Sequence, residues 1–315
     1  MSYVKSNAIQ TSDHHPKVSI GLPVYNGEKF IRKKLESLLT QTFKDFEIII
    51  SDNASTDSTS HICEEYSKKD QRIRYIRQEK NMGAVWNYNF VLKNAKYDYF
   101  LWTAADDILL PEFIEKNMKI LLAQKNVVCS ISRMKLYGNM TDYLNPYSKD
   151  TLFTKIMKKI QRELGYMDNY PASGTYEQRV IEFFKNLRHN QIFYGIYRTE
   201  QVRKCFVSKS FIGLETATIL NILRYGDLYV TDEVLMHVYD GGMSRSGMIS
   251  TSKQINKGIF GIIFPLSSFT FWCARNLETR LFLKNLGFFI KINSIAAFSL
   301  SVDLIRLFKT KIRNF

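Results

Sequence analysis

The chain is poor in the residues that build cross-linked or metal-stapled proteins. Only four of its 315 residues are cysteine (Cys63, Cys129, Cys205 and Cys273), all far apart and without a C-x-x-C pair. That argues against a disulfide framework or a zinc site and suits a reducing cytosol. Glycine-rich phosphate loops are missing too: neither G-x-G-x-x-G nor G-x-x-x-x-G-K occurs, which counts against nucleotide binding through either cradle. The opening Met1 to Lys17 is polar, with His14, His15 and Pro16 where a secretory signal needs an apolar stretch, and reads as a flexible tail over 1–16. Acidic residues are also scarce. Thirty Asp and Glu face 44 Lys and Arg, a net charge of +14, so an anionic partner is expected: nucleic acid, an anionic membrane surface or a phosphorylated substrate.

What is present reads as a globular α/β chain, 45% hydrophobic and 23% charged, long enough for one domain with an appendage. Val18 to Leu22 is a β-rich run closed by Pro23. Glu28 to Gln41 carries Ile31, Leu35, Leu38 and Leu39 at helical spacing. Strand signals return at Phe46–Ile50, Arg72–Arg77, Tyr97–Trp102 and Val127–Ile131. Helical signals fall between them at 58–69, at 84–94 and from about Glu112. Such β-α-β repetition predicts a mostly parallel sheet with ligands at the carboxyl ends of its strands. Polar clusters fall at four of those ends: Tyr25-Asn26, Asp52, Asn81 and Asp106-Asp107. Beyond them, 138–178 reads as a variable excursion, Gln191–Arg198 as a strand, 215–225 as a helix and Asp227–Val238 as strands.

Asp106 and Asp107 are adjacent acids after an apolar strand, a pattern that can hold a hard cation on carboxylate oxygens; helix capping is the alternative. Asp52 ends a buried strand, where a carboxylate can accept from a base or ribose, while Ser55, Thr56 and Asp57 suit a helix cap.

With these residues in view, the chain resembles glycosyltransferase family 2. The resemblance is carried by Ile20-Gly-Leu-Pro-Val-Tyr-Asn-Gly27, Leu38-Leu-Thr-Gln-Thr-Phe43 and Glu47-Ile-Ile-Ile-Ser-Asp-Asn-Ala-Ser-Thr-Asp57. Asn81-Met-Gly83, continuing to Asn87, and Trp102-Thr-Ala-Ala-Asp-Asp107 complete it. It is dense over 17–125 and scattered to about 245. It implies a single Rossmann-like domain of the A-type glycosyltransferase fold over 17–245. Residues 17–125 would form the nucleotide-sugar part and 126–245 the acceptor part. It further implies Pro23, Tyr25, Asn26, Glu28, Asp52, Asn81, Gly83, Asn87 and Asp106 around a nucleotide-sugar donor. Mg2+ or Mn2+ would sit on Asp106 and Asp107, with His237 a weaker third ligand. The ion offsets charge developing on the departing nucleoside diphosphate. Ala104 departs from the family's D-x-D-D by replacing its first Asp. For the base, the family's Asp at a helix start, about eleven residues before a strand-leading Gly, maps to Glu215 before Gly226. Glutamate there is one methylene longer.

The expected activity is therefore sugar transfer to an acceptor hydroxyl, inverting and metal-dependent, in glycan or cell-surface polysaccharide synthesis. The alternatives are a non-catalytic carbohydrate-binding protein and a nucleotidyltransferase. Residues 246–315 form a basic, amphipathic segment. Gly258 to Ala274 is uncharged but holds Pro265 and is short for a bilayer span, and 281–308 is interrupted by Lys284, Lys291, Asp303 and Arg306. Helices lying on the cytoplasmic face of an anionic membrane are expected, with a glycan or lipid-linked acceptor and no nucleic acid. A helical hairpin joining the core is the alternative.

Overall fold

The structure, a computed structural model, describes residues 16–137, 169–187, 191–239 and 264–313. The expected tail before Pro16, most of the expected excursion at 138–178 and residues 246–263 lie outside the described residues. The strands are β1 (Val18–Val24), β2 (Phe46–Asp52), β3 (Ile73–Arg77), β4 (Tyr99–Trp102), β5 (Ile108–Leu109), β6 (Val127–Tyr137), β7 (Ile196–Arg198) and β8 (Asp227–Tyr239). They form one sheet in the order β3-β2-β1-β4-β7-β6-β8-β5. Pairings β1–β2, β2–β3, β1–β4 and β6–β8 are parallel, and those of β7 and β5 are antiparallel. Six strands thus run the same way and end at one edge, the expected mostly parallel, mixed α/β sheet.

Burial explains why the first strands read so plainly. Every residue of β1 and β2 is buried, because helices cover both faces and both sides of each strand must be apolar. Helix α1 (Glu28–Leu39) turns Ile31, Leu35 and Leu38 inward, and α2 (Thr59–Lys69) and α3 (Ala84–Lys93) follow. A Cβ at Gly21 would lie 2.7 Å from the Val91 side chain, so the missing side chain in β1 is what lets α3 approach. Helix α4 (Phe113–Ala123) leads into β6.

Residues 126–245 depart from expectation in three places. Gln191–Tyr194 is a 3-10 turn rather than strand, leaving only Ile196–Arg198 for β7: the Gly195 N–H closes back on the Ile192 carbonyl at 3.1 Å, and the Tyr197 hydroxyl donates to the same carbonyl at 2.6 Å. Residues 227–239 make one long strand, not several, because β8 pairs with β6 along its whole length across register shifts. Helix α5 (Tyr176–Asn186), unassigned from sequence, opens with a capping box: the Gln178 N–H donates to Thr175 Oγ1 and the Thr175 N–H to Gln178 Oε1. Helices α6 (Thr199–Cys205) and α7 (Leu214–Ile222) complete this half.

Helices α8 (Ser267–Asn276), α9 (Thr279–Lys284) and α10 (Leu286–Arg313) belong to the C-terminal segment. Among the described residues no helix is long and apolar enough to cross a membrane. Phe269, Cys273, Leu277, Leu281 and Phe289 are buried in the same core as the sheet, and Phe184 of α5 stacks on Phe288 at 4.4 Å. Phe269 packs against Gly213, where an added Cβ would meet its ring at 3.0 Å. The segment therefore joins the core through one face while Phe264, Phe271, Leu283, Leu286, Ile290 and Phe298 stay exposed. Phe269→Ala should destabilise the folded protein by about 3–5 kcal/mol in denaturant titration. A loss near zero would mean that α8 is not part of the core.

Candidate active site

The carboxyl ends of β1, β2 and β3 supply loops that bond to one another, and the loop after β4 bonds to the ends of β6 and β8. After β1, the Asn26 N–H donates to Ser55 Oγ at 2.9 Å, Asn26 Oδ1 accepts from the Thr56 N–H at 2.8 Å, and Glu28 Oε2 accepts from the Ser58 N–H at 2.9 Å. Asn26 and Glu28 thus tie the β1–α1 loop to the β2–α2 loop. Asn26 has φ +50° and Ala54 φ +61°, a left-handed backbone that costs an alanine energy and that this bracing over-determines. Pro23 is buried in β1, and Tyr25 is about half exposed beside it. After β3, Asn81 Oδ1 accepts from Asn53 Nδ2 at 2.8 Å and from the Gly83 N–H at 2.9 Å, and Gly83 at φ +87° starts α3. Asn87 donates to the Ser51 carbonyl at 2.9 Å, leaving its own buried carbonyl oxygen without a partner.

Asp52 has no exposed surface. Its Oδ1 accepts from the Ser55 N–H at 2.9 Å, and its Oδ2 from the Tyr75 hydroxyl at 2.9 Å and from Arg77 Nη1 at 3.1 Å. The carboxylate fixes Tyr75 and Arg77, both from β3, at the sheet edge. Sequence reasoning passed over these two because they read as ordinary strand residues.

Asp106 and Asp107 follow β4, where the chain turns into β5. Asp107 is buried and its Oδ1 accepts the Tyr239 N–H at 3.0 Å, joining the end of β8 to the turn. The Tyr137 hydroxyl at the end of β6 donates to the Asp106 carbonyl. Burial raises the pKa of both carboxyls, and Asp106 adds to the rise at Asp107. Two carboxylates short of solvent and close together call for positive charge. That matches the needs of Mg2+ or Mn2+, which take one or two protein carboxylates and fill the rest with phosphate and water oxygens. Among the described residues no group of three His, Cys, Asp or Glu could share an ion. His237 pairs with Ile108, the residue after Asp107, across the β5–β8 ladder, but among the described residues it forms no three-ligand group with the acids; burial, then Lys135 and Lys33, lower its pKa.

Glu215 lies in the first turn of α7, behind Gly213 in a left-handed conformation. The buried Tyr88 and Tyr194 hydroxyls are 3.0 Å apart. Burial raises both phenols, and the charges of Glu215 and Asp107 add to the rise at each, with Asp106 adding at Tyr88. The expected base and the expected metal ligands thus act electrostatically on one tyrosine pair. Phe193 lies against Trp102 at 4.4 Å, the two rings nearly parallel, within the core. Sequence reasoning also passed over Lys34, a buried lysine on the inner face of α1 whose closest acidic influences are Asp107 and Asp106.

Residues 19–206 match the model for Glycosyl transferase family 2. Similar curated proteins include an uncharacterized glycosyltransferase of Rickettsia typhi, 32% identical over 151 residues that cover 46% of each protein. Glycosyltransferase GlyA of Streptococcus pneumoniae is 39% identical over 99 residues, 31% of this chain and 14% of that one. The chain spans half or less of the length of these relatives. Among solved structures, a mannosyltransferase from Pyrobaculum calidifontis in complex with GDP-Man and Mn2+ superposes with a TM-score of 0.58 at 13% identity, over 93% of this chain and 75% of that one. S. aureus TarS 1–349 in complex with UDP-GlcNAc gives 0.53 at 20% identity, over 87% and 79%. Both likenesses show the A-type glycosyltransferase fold. With the family match covering more than half of its length, the chain belongs to glycosyltransferase family 2.

Proposed function

We propose that the protein moves a sugar from a nucleotide-sugar donor to an acceptor hydroxyl, with inversion, using Mg2+ or Mn2+ held by Asp106 and Asp107. What supports this reading is the Asp106-Asp107 turn, bonded to the ends of β6 and β8, together with the buried Tyr88–Tyr194 pair on which the charges of Asp107 and Glu215 both act. When bound, the ion supplies Lewis-acid neutralisation of the donor diphosphate. The chain's own residues do the rest. Tyr75 and Arg77, held by Asp52, offer a hydroxyl and a guanidinium to the base and ribose. The loops braced by Asn26, Glu28 and Asn81 shape the corner that receives the nucleotide. Glu215 accepts the proton of the acceptor hydroxyl as its oxygen bonds to the anomeric carbon; the bond to the diphosphate oxygen breaks, and the nucleoside diphosphate leaves with that electron pair.

Docking to the cytoplasmic face of a membrane extends the proposal. Phe264, Phe271, Leu283, Leu286, Ile290 and Phe298 are exposed, and Arg275, Arg280 and Lys291 lie among them in sequence and are exposed as well. Apolar burial plus about 1 kcal/mol per basic residue near anionic lipid would hold the enzyme at the height of a lipid-linked acceptor. The product would enter glycan or cell-surface polysaccharide synthesis.

Nucleoside diphosphate release from a panel of nucleotide sugars, with Mn2+ and candidate acceptors, tests the activity. Asp107→Asn should abolish Mn2+-dependent nucleotide-sugar binding in calorimetry while circular dichroism is unchanged; full affinity in the variant would contradict the metal assignment. Glu215→Gln keeps the shape and removes the basicity, so turnover should fall roughly 10²–10⁴-fold with donor binding preserved. Near-normal turnover would move the role to another residue. The protein should float with anionic liposomes at low salt, and Phe271→Ser with Ile290→Ser should remain in the soluble fraction. Equal flotation of the two forms would show that this face does not dock.

A further inference from the structure

Lysine 34 occupies a position that its helix gives no apolar reason to hold. Helix α1 turns Ile31, Lys34, Leu35 and Leu38 toward the sheet, and three of these four are aliphatic. Lys34 is 1% exposed, and its amine makes no hydrogen bond. Lysine is almost never fully buried unless its charge is matched, because an unpaired ammonium loses its hydration without return. Here the matching charge is specific. Burial pulls the Lys34 pKa down, and the two groups that pull it back up are Asp107 first and Asp106 second. The geometry brackets the acids from α1: Phe30, one turn before Lys34, packs on Tyr239 with ring centroids 4.8 Å apart, the Tyr239 N–H bonds Asp107, and Gln41 after the helix donates to the Leu110 carbonyl just past β5 at 2.8 Å, so the inward-facing Lys34 lies on the stretch of α1 beside the carboxylate turn. No ion pair within 4 Å joins Lys34 to either acid, and the influence therefore acts through the dry interior rather than by direct contact.

This arrangement has a consequence for metal binding. The two carboxylates carry two negative charges, and the lysine cancels one of them. A divalent ion arriving alone meets a site already half neutralised and leaves it with a net positive charge in a poorly solvated place. A divalent ion arriving with a nucleoside diphosphate leaves a site whose charge the phosphates balance. We infer that Lys34 is a built-in cation that weakens metal binding to the empty site and favours the nucleoside diphosphate, so that the site disfavours a metal arriving without its anionic ligand. The inference rests on the proposed metal role of Asp106 and Asp107. Lys34 is then a positioning residue for charge: it lies beside the carboxylate turn, touches neither donor nor acceptor, and acts through Asp106 and Asp107.

The effect is measurable without turnover. Mn2+ is titrated into the full-length protein alone, with UDP and with GDP, and each nucleotide is titrated without metal, for the wild type, Lys34→Met, Lys34→Gln and Asp107→Asn. Thermal melting establishes that each variant folds, and having two replacements of different polarity separates loss of charge from loss of packing. The wild type should bind Mn2+ weakly alone and more tightly with one of the nucleotides. Both Lys34 variants should bind Mn2+ alone about tenfold more tightly, as expected for removing one positive charge near the ion, and nucleotide without metal less tightly, because the same charge attracts the phosphates. Unchanged Mn2+ affinity in both Lys34 variants, with binding lost in Asp107→Asn, would overturn the inference and leave the metal assignment standing. Weaker Mn2+ binding in the Lys34 variants would overturn it as well, as would a wild type that binds Mn2+ equally with and without either nucleotide. Full Mn2+ affinity in Asp107→Asn would remove the metal assignment and the inference together.

Discussion

Two carboxylates held side by side where little water reaches repel each other, and much of this site can be understood as a response to that repulsion. The Asp106-Asp107 turn lies where β4 gives way to β5. The ends of β6 and β8 reach it through the Tyr137 hydroxyl and the Tyr239 N–H. Lys34 stands beside it from α1. These contacts hold the acids in place but leave their charge only partly balanced, since one buried ammonium faces two carboxyl groups. A site left electrostatically incomplete by its own scaffold is suited to a ligand that brings cation and phosphate together. The end of β2 follows another logic. There Asp52 accepts bonds from Ser55, Tyr75 and Arg77, which fix two side chains of β3 beside it.

The parallel half of the sheet was plain in the sequence because burial on both faces forces continuous apolar runs, as in Val18–Val24 and Phe46–Asp52. The adjacent acids of Asp106-Asp107 were legible for a related reason: polar residues ending an apolar strand stand out. Residues 126–245 were less so. A 3-10 turn over Gln191–Tyr194 has the composition of a strand, and it is the bonds of the Gly195 N–H and the Tyr197 hydroxyl back to the Ile192 carbonyl that close it. Strand β5 has two residues and exists only because β8 runs past it. Lys34 was invisible for the most instructive reason. On a helix whose neighbours at positions 32 and 33 are also basic, a third basic residue reads as solvent-facing, although its phase with Ile31, Leu35 and Leu38 places it inside.

The C-terminal helices show how one sequence pattern can serve two surfaces. Their large apolar residues are too many for a single face, and the structure divides them: Phe269, Cys273 and Phe289 enter the core, while Phe271, Ile290 and Phe298 do not. The inward set also reaches the proposed catalytic region, since Phe269 lies against Gly213, two residues before Glu215. Docking of the outward set to a membrane would therefore be mechanically joined to the loop that presents the base. That route runs from sequence pattern through packing to the height and orientation of the site.

The account stands on the claim that the Asp106-Asp107 turn is where cation and donor diphosphate meet. Crystals of the protein grown with Mn2+ and a nucleotide sugar, measured at the manganese absorption edge, test this directly. The account predicts one anomalous peak within coordination distance of Asp106 or Asp107 that is bridged to both phosphates of the donor. A bound donor whose diphosphate lies away from that turn, or a manganese peak held by other residues, would contradict it.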